Sequence, residues 1–169
     1  ILTRAAALAV LMSDSKSIAV AGTHGKTTTS SMLAVALQAC GADPSFAIGG
    51  TITASGSNAH RGTGEIFVAE ADESDGSFIE YNPFAAIVTN VEHDHVDFFP
   101  TPESVAQAFR DFAATIKHKG FLTYCADDAG AVALAGTTKN VQLISYGVSE
   151  GADLHIDNIE LMTMGSTAR

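Results

Sequence analysis

A short glycine-rich loop carries the residues of this chain that are best suited to chemistry. Residues 22–29 read Gly-Thr-His-Gly-Lys-Thr-Thr-Thr and lie between an apolar run, 17–21, and a helical stretch. In such loops, backbone N–H groups and the positive helix N-terminus surround a phosphate group, the lysine reaches the β- and γ-phosphate oxygens, and a threonine hydroxyl takes one position on Mg²⁺. The pattern predicts binding of ATP or GTP through Gly22, Thr23, His24, Gly25, Lys26, Thr27 and Thr28.

The loop is shorter than the standard phosphate-binding pattern, in which the first glycine stands five positions before the second. That position is occupied here by Val20, inside the expected strand, and the first glycine is Gly22. A chance glycine turn is the alternative interpretation. The Gly-Lys-Thr sequence falls at the junction between strand and helix, which favours a nucleotide site.

An acidic segment follows the next apolar run. Residues 66–69 are apolar, and residues 70–75 read Glu-Ala-Asp-Glu-Ser-Asp. Carboxylates commonly share Mg²⁺ with a hydroxyl of the phosphate loop and with phosphate oxygens. Glu70 is the preferred ligand because it stands where the strand leaves the core. The other acidic residues are weaker candidates, which either bind the ion, cap a helix starting near residue 76 or face solvent: Asp72, Glu73 and Asp75.

A third polar segment follows the apolar residues 85–89. Residues 90–95 read Asn-Val-Glu-His-Asp-His. Its histidines have no further soft ligands at the spacing that zinc requires, and the residues alone do not choose between His93 and His95 as a ligand of a second Mg²⁺. If the three strands are neighbours in a parallel sheet, their carboxyl ends meet at one edge, and the three polar segments converge on one crevice.

Composition restricts the classes of function. The formal net charge is −10, and no Lys or Arg occurs between Arg61 and Arg110, which argues against nucleic-acid binding and for cations at a phosphate site. No apolar run reaches membrane-spanning length and no cleavable leader is recognisable, so we expect a cytoplasmic protein without membrane insertion. Cys40 and Cys125 are expected to be buried, reduced thiols.

The periodicity of apolar residues predicts an α/β fold, a mostly parallel sheet flanked by helices with a β-rich C-terminal tail. We expect residues 51–64 to form a long loop and residues 152–159 an antiparallel strand. The predicted helices are 3–12, 26–39, one that begins at Pro102 after the cap Thr101, and one near 128–135. The predicted strands are 17–21, 44–48, 66–69, 85–89, 121–124 and 141–146.

Taken together, the three motifs closely resemble the central ATPase domain of the Mur ligases. The resemblance covers nearly the whole chain, including Asp-Pro-Ser-Phe at 43–46 and the glycine pair at 49–50. It implies ATP and Mg²⁺ as cofactors. By resemblance, Lys26 binds phosphate, Thr27 and Glu70 hold the first Mg²⁺, His95 holds the second, and Asn90 lies near nucleotide and substrate. The resemblance thus makes Lys26, Glu70 and His95 the catalytic residues.

Within the family, the motifs are most similar to members that join L-alanine to UDP-N-acetylmuramate through an acyl phosphate. Members that attach a tripeptide to the same sugar nucleotide carry Tyr in place of Ser74, folylpolyglutamate synthetases lack the acidic block, and a regulatory nucleotide-binding module would need an Asn-Lys-x-Asp motif, which is absent. The resemblance also implies that 1–169 is a truncated central domain. The UDP-binding N-terminal domain and the C-terminal domain would be missing, and we expect the fragment to be inactive alone.

Overall fold

An eight-stranded sheet organises the chain in a computed structural model that describes residues 2–53, 55–163 and 165–169. The order across the sheet is β3-β2-β4-β1-β5-β6-β7-β8, and among the described residues every pairing in this sheet is parallel except that of β2 with β3. The strands are β1 (Lys16–Ala21), β2 (Ser45–Ile52), β3 (Ser57–His60), β4 (Ile66–Glu70), β5 (Ala85–Val88), β6 (Phe121–Cys125), β7 (Gln142–Gly147) and β8 (Leu154–His155). The predicted mostly parallel α/β architecture is confirmed.

Four α-helices and one 3₁₀-helix are described, and side-chain caps explain where three of the α-helices begin. Thr3, Thr101 and Asp128 each accept a hydrogen bond from a backbone N–H in the first turn of the helix that follows. The elements are α1 (Arg4–Met12), α2 (Lys26–Ala39), α3 (Pro102–Ala114), α4 (Ala129–Thr137) and the 3₁₀-helix Ser77–Tyr81. Within the described residues no helix is long and apolar enough to cross a membrane.

The central strands are buried on both faces. Successive side chains of a strand point to opposite sides. In β4, Val68 accordingly packs in the cluster that includes residues of α2, whereas Phe67 and Ala69 belong to the cluster that includes residues of α1, α3 and α4. β4, β1 and β5 are therefore fixed from above and below, and their carboxyl ends are held rigidly beside one another.

Phe78 anchors the 3₁₀-helix to this core. Its ring is fully buried, stacks on Phe112 at a centroid distance of 4.7 Å and meets Phe109 edge-on at 5.3 Å. Because the acidic segment 70–75 begins at the last residue of β4 and leads into this helix, both of its ends are fixed. The course of the acidic segment is thus set by core packing.

The expectation of a long loop at 51–64 is wrong. β2 extends through the glycine pair to Ile52, and the chain returns as β3, antiparallel to β2. Asp43 fastens this hairpin by accepting hydrogen bonds from the backbone and hydroxyl of Thr63, both at 2.8 Å, and its carboxylate lies 3.0 Å from His60 Nε2. β3 is mostly exposed and polar, so it has no apolar alternation from which a strand is predicted.

The prediction of an antiparallel strand at 152–159 is also wrong. Only two residues there form a strand, β8, and β8 runs parallel to β7. Asp153 sets this arrangement by accepting hydrogen bonds from the backbone and hydroxyl of Ser145, both at 2.8 Å. The β-rich tail is instead an antiparallel pair, β9 (Glu160–Met162) with β10 (Gly165–Thr167).

The predicted burial of both thiols is wrong for Cys40. Cys40 is exposed at the C-terminal cap of α2, and Cys125 is half-buried at the end of β6. A helix end that turns towards solvent through Gly41, at φ +78°, carries its last side chain to the surface.

Candidate phosphate-binding site

The glycine loop joins β1 to α2 through two glycines with positive φ. Gly22 has φ +138°, and a Cβ there would lie 2.0 Å from Thr89 Oγ1; Gly25 has φ +81° and is the N-cap of α2. Both conformations favour glycine. Gly25 supplies no side-chain cap to α2. The first-turn N–H groups of α2 are therefore directed towards the loop, where they can bind an anion.

The end of β5 holds the glycine loop in place. Asn90 Oδ1 accepts from the backbone N–H of His24 at 2.8 Å, and Asn90 Nδ2 and Thr89 Oγ1 both donate to the His24 carbonyl. The hydroxyl of Thr23 accepts from the N–H of Glu92 at 2.9 Å and donates to the Glu92 carbonyl at 3.2 Å. Thr23 and Asn90, predicted as nucleotide ligands, thus connect the glycine loop to the segment that follows β5 by hydrogen bonds.

Glu70 and Thr27 form the first acidic contact of the site. Thr27 Oγ1 donates to Glu70 Oε1 at 2.9 Å, and the N–H of Gly49 donates to Glu70 Oε2 at 2.7 Å. A Cβ on Gly49 would lie 2.9 Å from Glu70 Oε1, and one on Gly50 would lie 2.8 Å from Thr27 Cγ2, so the glycine pair lets β2 approach. A hydroxyl and a carboxylate beside a helix N-terminus fit the oxygen preference of Mg²⁺.

Lys26, Glu73 and His95 form the second contact. Lys26 Nζ lies 2.8 Å and 3.1 Å from the two carboxylate oxygens of Glu73, and it also donates to the carbonyls of Gly22, at 2.7 Å, and Thr23, at 3.2 Å. His95 Nε2 lies 3.3 Å from Glu73 Oε1. Glu73 is only 1% exposed. The interpretation of Glu73 as a solvent-facing or helix-capping residue is therefore wrong, since its carboxylate is buried between the ammonium group of Lys26 and the imidazole of His95.

The other two acidic candidates make local backbone contacts. Asp72 Oδ1 accepts from the N–H of Ser74 at 3.1 Å, and Asp75 Oδ1 accepts from the N–H of Ser77 at 2.9 Å, where the 3₁₀-helix begins. Hydrogen bonds from Ser77 lower the pKa of Asp75. Asp75 thus binds the first residue of the 3₁₀-helix, as the capping interpretation requires, whereas Asp72 closes a local turn before that helix.

The two histidines of the third segment have different partners. His93 Nε2 lies 2.9 Å from the carbonyl of Phe99, whereas His95 faces Glu73. Within 2–53, 55–163 and 165–169, no group of three or more His, Cys, Asp or Glu side chains is arranged to hold a metal ion. The predicted metal ligands therefore fall into two places: Thr27 lies against Glu70, and His95 lies against the carboxylate of Glu73.

Two further predicted nucleotide ligands are exposed at the mouth of the loop. Thr28 is exposed in the first turn of α2, and the imidazole of His24 lies 3.7 Å from Glu92 Oε2. Sequence reasoning missed Gly49, whose N–H orients Glu70, and undervalued Glu73. The glycine pair at 49–50 was a signal for a close approach of backbone, but its target could not be read from the sequence.

The sheet and its loops define a class of protein: an α/β domain in which a glycine-rich loop at a helix N-terminus faces carboxylates at the carboxyl edge of parallel strands. Residues 20–169 match the family model described as the Mur ligase middle domain, and the chain belongs to the Mur ligase family.

Named relatives and a solved structure agree with this assignment. The chain is 50% identical over 169 residues to the UDP-N-acetylmuramate–L-alanine ligase of Rhodococcus opacus, covering 95% of this chain and 34% of that protein. It is 61% identical over 135 residues to the enzyme of the same name from Nocardioides sp., covering 80% and 30%. The chain therefore spans about a third of the length of these curated relatives.

The structural comparison extends the likeness to the whole fold. The UDP-N-acetylmuramate:L-alanyl-gamma-D-glutamyl-meso-diaminopimelate ligase from Neisseria meningitides superposes with a TM-score of 0.83 at 26% identity, covering 98% of this chain and 55% of that one. The fold of nearly the whole chain is thus shared with a solved ligase.

Proposed function

We propose that the chain is the ATP-binding middle part of a ligase that joins L-alanine to the carboxylate of UDP-N-acetylmuramate in peptidoglycan precursor synthesis. The observation that carries the proposal is the convergence of the glycine loop with two carboxylates, Glu70 beside Thr27 and Glu73 beside Lys26. Relatives at 50% and 61% identity that bear this enzyme name support the choice of substrates.

The proposed reaction proceeds in two steps. A carboxylate oxygen of UDP-N-acetylmuramate attacks the γ-phosphorus of ATP, ADP leaves, and an acyl phosphate forms. The amine of L-alanine then attacks the acyl carbon, phosphate leaves, and the amide forms with loss of a proton from nitrogen. Lys26, at the base of the phosphate loop, stabilises negative charge on the transferred phosphoryl group. No side chain of this chain is needed as a covalent nucleophile.

The proposal includes Mg²⁺, which when bound neutralises charge on phosphate oxygens. Thr27 and Glu70 are the residues that would hold it, because a hydroxyl and a carboxylate oxygen lie 2.9 Å apart at the N-terminus of α2. For His95 we propose the second ion, as the family resemblance implies. Its Nε2 lies beside Glu73, so ligation through that nitrogen requires the imidazole to leave the carboxylate.

The proposal assigns residues 1–169 to one of three domains. The UDP-binding N-terminal domain and the C-terminal domain that helps to bind ATP and the amino acid would belong to the longer protein, which acts in the cytoplasm. We expect residues 1–169 alone to lack ligase turnover. A phosphate-release assay that found full turnover by this chain would contradict this division of labour.

A ligase assay of the longer protein with different acceptors tests the proposal. UDP-N-acetylmuramate and ATP are supplied with L-alanine, glycine, L-serine or the tripeptide L-alanyl-γ-D-glutamyl-meso-diaminopimelate, and amide products are identified by mass spectrometry. We expect L-alanine to be preferred. A preference for the tripeptide would instead indicate the activity named for the structural neighbour from Neisseria meningitides. Absence of amide with every acceptor would overturn the ligase assignment.

A further inference from the structure

The ammonium group of Lys26 has all its donors engaged by protein oxygens. It carries three N–H groups, and it donates to the carbonyls of Gly22 and Thr23 and to Glu73 Oε1, while Glu73 Oε2 lies 2.8 Å away. A phosphate oxygen that binds Lys26 must therefore replace one of these acceptors. Glu73 is the one that carries a charge like that of phosphate.

Glu73 lies where the replacement of its carboxylate by a phosphate oxygen, as the partner of Lys26, has a large effect on the free energy of binding. The side chain of Glu73 is 2% exposed and that of Lys26 is 14% exposed, so their interaction is weakly screened by solvent. A buried carboxylate that loses its partner is costly, since neither water nor another charge replaces it. Within the described residues, the second group that approaches this carboxylate is the imidazole of His95, at 3.3 Å.

We propose that Glu73 competes with the phosphates of the nucleotide for Lys26, and that in the metal-free site His95 partners the carboxylate when Lys26 turns to phosphate. This inference rests on the proposed nucleotide function of the glycine loop and adds a residue that acts through Lys26. Glu73 is thus a positioning residue that sets the affinity for nucleotide. Its carboxylate weakens the binding of nucleotide and keeps the ammonium group of Lys26 beside the glycine loop.

The amide variant Glu73→Gln tests this competition because it keeps the shape of the side chain and removes its charge. ADP is titrated into this chain by calorimetry with EDTA present, so that metal ligation does not contribute. We expect Glu73→Gln to bind ADP roughly tenfold more tightly than the parent chain, the effect typical of one hydrogen bond to a charged group. A merely structural role predicts the opposite sign, because a disturbed site binds more weakly.

A double-mutant cycle separates competition for Lys26 from general repulsion of the nucleotide. In a Lys26→Met chain the lysine is no longer available, and Glu73→Gln should then change ADP affinity less than about twofold. The control variant Glu80→Gln removes the same charge from the 3₁₀-helix, where Glu80 contacts the hydroxyl of Thr3, and should leave ADP affinity unchanged. An equal gain with and without Lys26 would overturn the competition.

His95→Ala gives a second measurement that leaves the buried carboxylate intact. With EDTA present, loss of the imidazole makes Glu73 depend more on Lys26, so ADP affinity should fall several-fold. Unchanged affinity in His95→Ala, or equal or weaker binding in Glu73→Gln, would overturn the inference. These outcomes differ from failure of the proposed function, in which the parent chain binds no ADP and the longer protein forms no amide.

Discussion

Asn90 holds both backbone polar groups of His24, accepting from its N–H at 2.8 Å and donating to its carbonyl at 3.2 Å. The middle of the glycine loop is therefore bound to the end of β5. We expect Asn90→Ala to weaken ATP binding and to lower the free energy of unfolding by about 1–2 kcal/mol, because two hydrogen bonds are lost. Nucleotide titration and urea unfolding measure the two effects.

The control for this prediction is Gln107→Ala. It removes an exposed amide that contacts Asp111 and Arg110 on the same helix, and it should change neither quantity by more than a small amount. An Asn90→Ala chain with unchanged ATP affinity would show that the loop keeps its shape without β5.

Glu70→Gln should raise the Mg²⁺ concentration needed for amide formation by the longer protein about tenfold or more, since a neutral amide is a weaker ligand than a carboxylate. Lys26→Ala should abolish amide formation. A Mg²⁺ titration at saturating ATP measures the first effect. Glu65→Gln is the control, because Glu65 pairs with Lys16 on the surface, 80% exposed. Retained turnover in Lys26→Ala would contradict the assignment of Lys26 as the residue that binds the phosphate groups.

Gly49→Ala should impair the site through Glu70, because the new Cβ would lie 2.9 Å from Glu70 Oε1. We expect weaker Mg²⁺-dependent ATP binding with little loss of stability, because the atoms that must move are the carboxylate end of the Glu70 side chain and not backbone. Gly136→Ala is the matched control, since beyond the adjacent residues and backbone of α4 no described atom lies within 4 Å of its Cβ position, and alanine there should stabilise the chain by up to about 1 kcal/mol. Equal effects of the two alanines would contradict the role of Gly49.

His95→Ala and His93→Ala should act on different properties. His95 is the proposed ligand of the second ion, so its loss should raise the Mg²⁺ requirement of the longer protein. His93 lies 2.9 Å from the carbonyl of Phe99, and its loss should lower thermal stability with little change in metal dependence. A shifted metal titration in His93→Ala and an unshifted one in His95→Ala would reverse the assignment.

Asp43 should make stability depend on pH. Hydrogen bonds from the Thr63 backbone, His60 and the Thr63 hydroxyl lower the pKa of Asp43 from 3.8 to about 2. A depressed folded-state pKa stabilises the native state above the unfolded value, and this contribution disappears as the pH falls from about 4 to 2. Urea unfolding at several pH values should show Asp43→Asn less stable than the parent at pH 5 and similar to it near pH 2.

Asp14→Asn is the control for this pH dependence, because the carboxylate of Asp14 contacts the Ser13 hydroxyl at 3.5 Å on the surface. Its pH profile measures the effect of removing a surface carboxylate that does not fasten the hairpin. If the two variants show the same pH profile, the hairpin contacts of Asp43 do not produce the effect.

Local signals predicted the elements around the glycine loop. The helix predicted at 26–39 is α2, because Gly25 and Lys26 mark its start and Gly41, at φ +78°, follows its end. The expectation that three polar segments meet depended on strand neighbours, and β1 does lie between β4 and β5. Apolar runs that are buried on both faces give such strands a clear signal.

The sequence did not reveal which carboxylate turns inward. Four acidic residues stand within 70–75, and the one that is buried, Glu73, is selected by the path of the chain from β4 to the 3₁₀-helix. That path depends on the packing of Phe78 against Phe112, a contact between residues far apart in sequence. β3 was missed for a related reason, since an exposed polar strand takes its register from its neighbour.

The adjacency of β4, β1 and β5 has a consequence for folding. The site exists only when all three strands are aligned, because its side chains come from segments that are distant along the chain. A molecule that binds only the aligned state stabilises it by mass action, by about 2.7 kcal/mol at one hundred times its dissociation constant. Under the proposed function that molecule is ATP, so the ATP concentration in the cell helps to set the fraction of chains that are folded. A substrate of the reaction then also stabilises the fold.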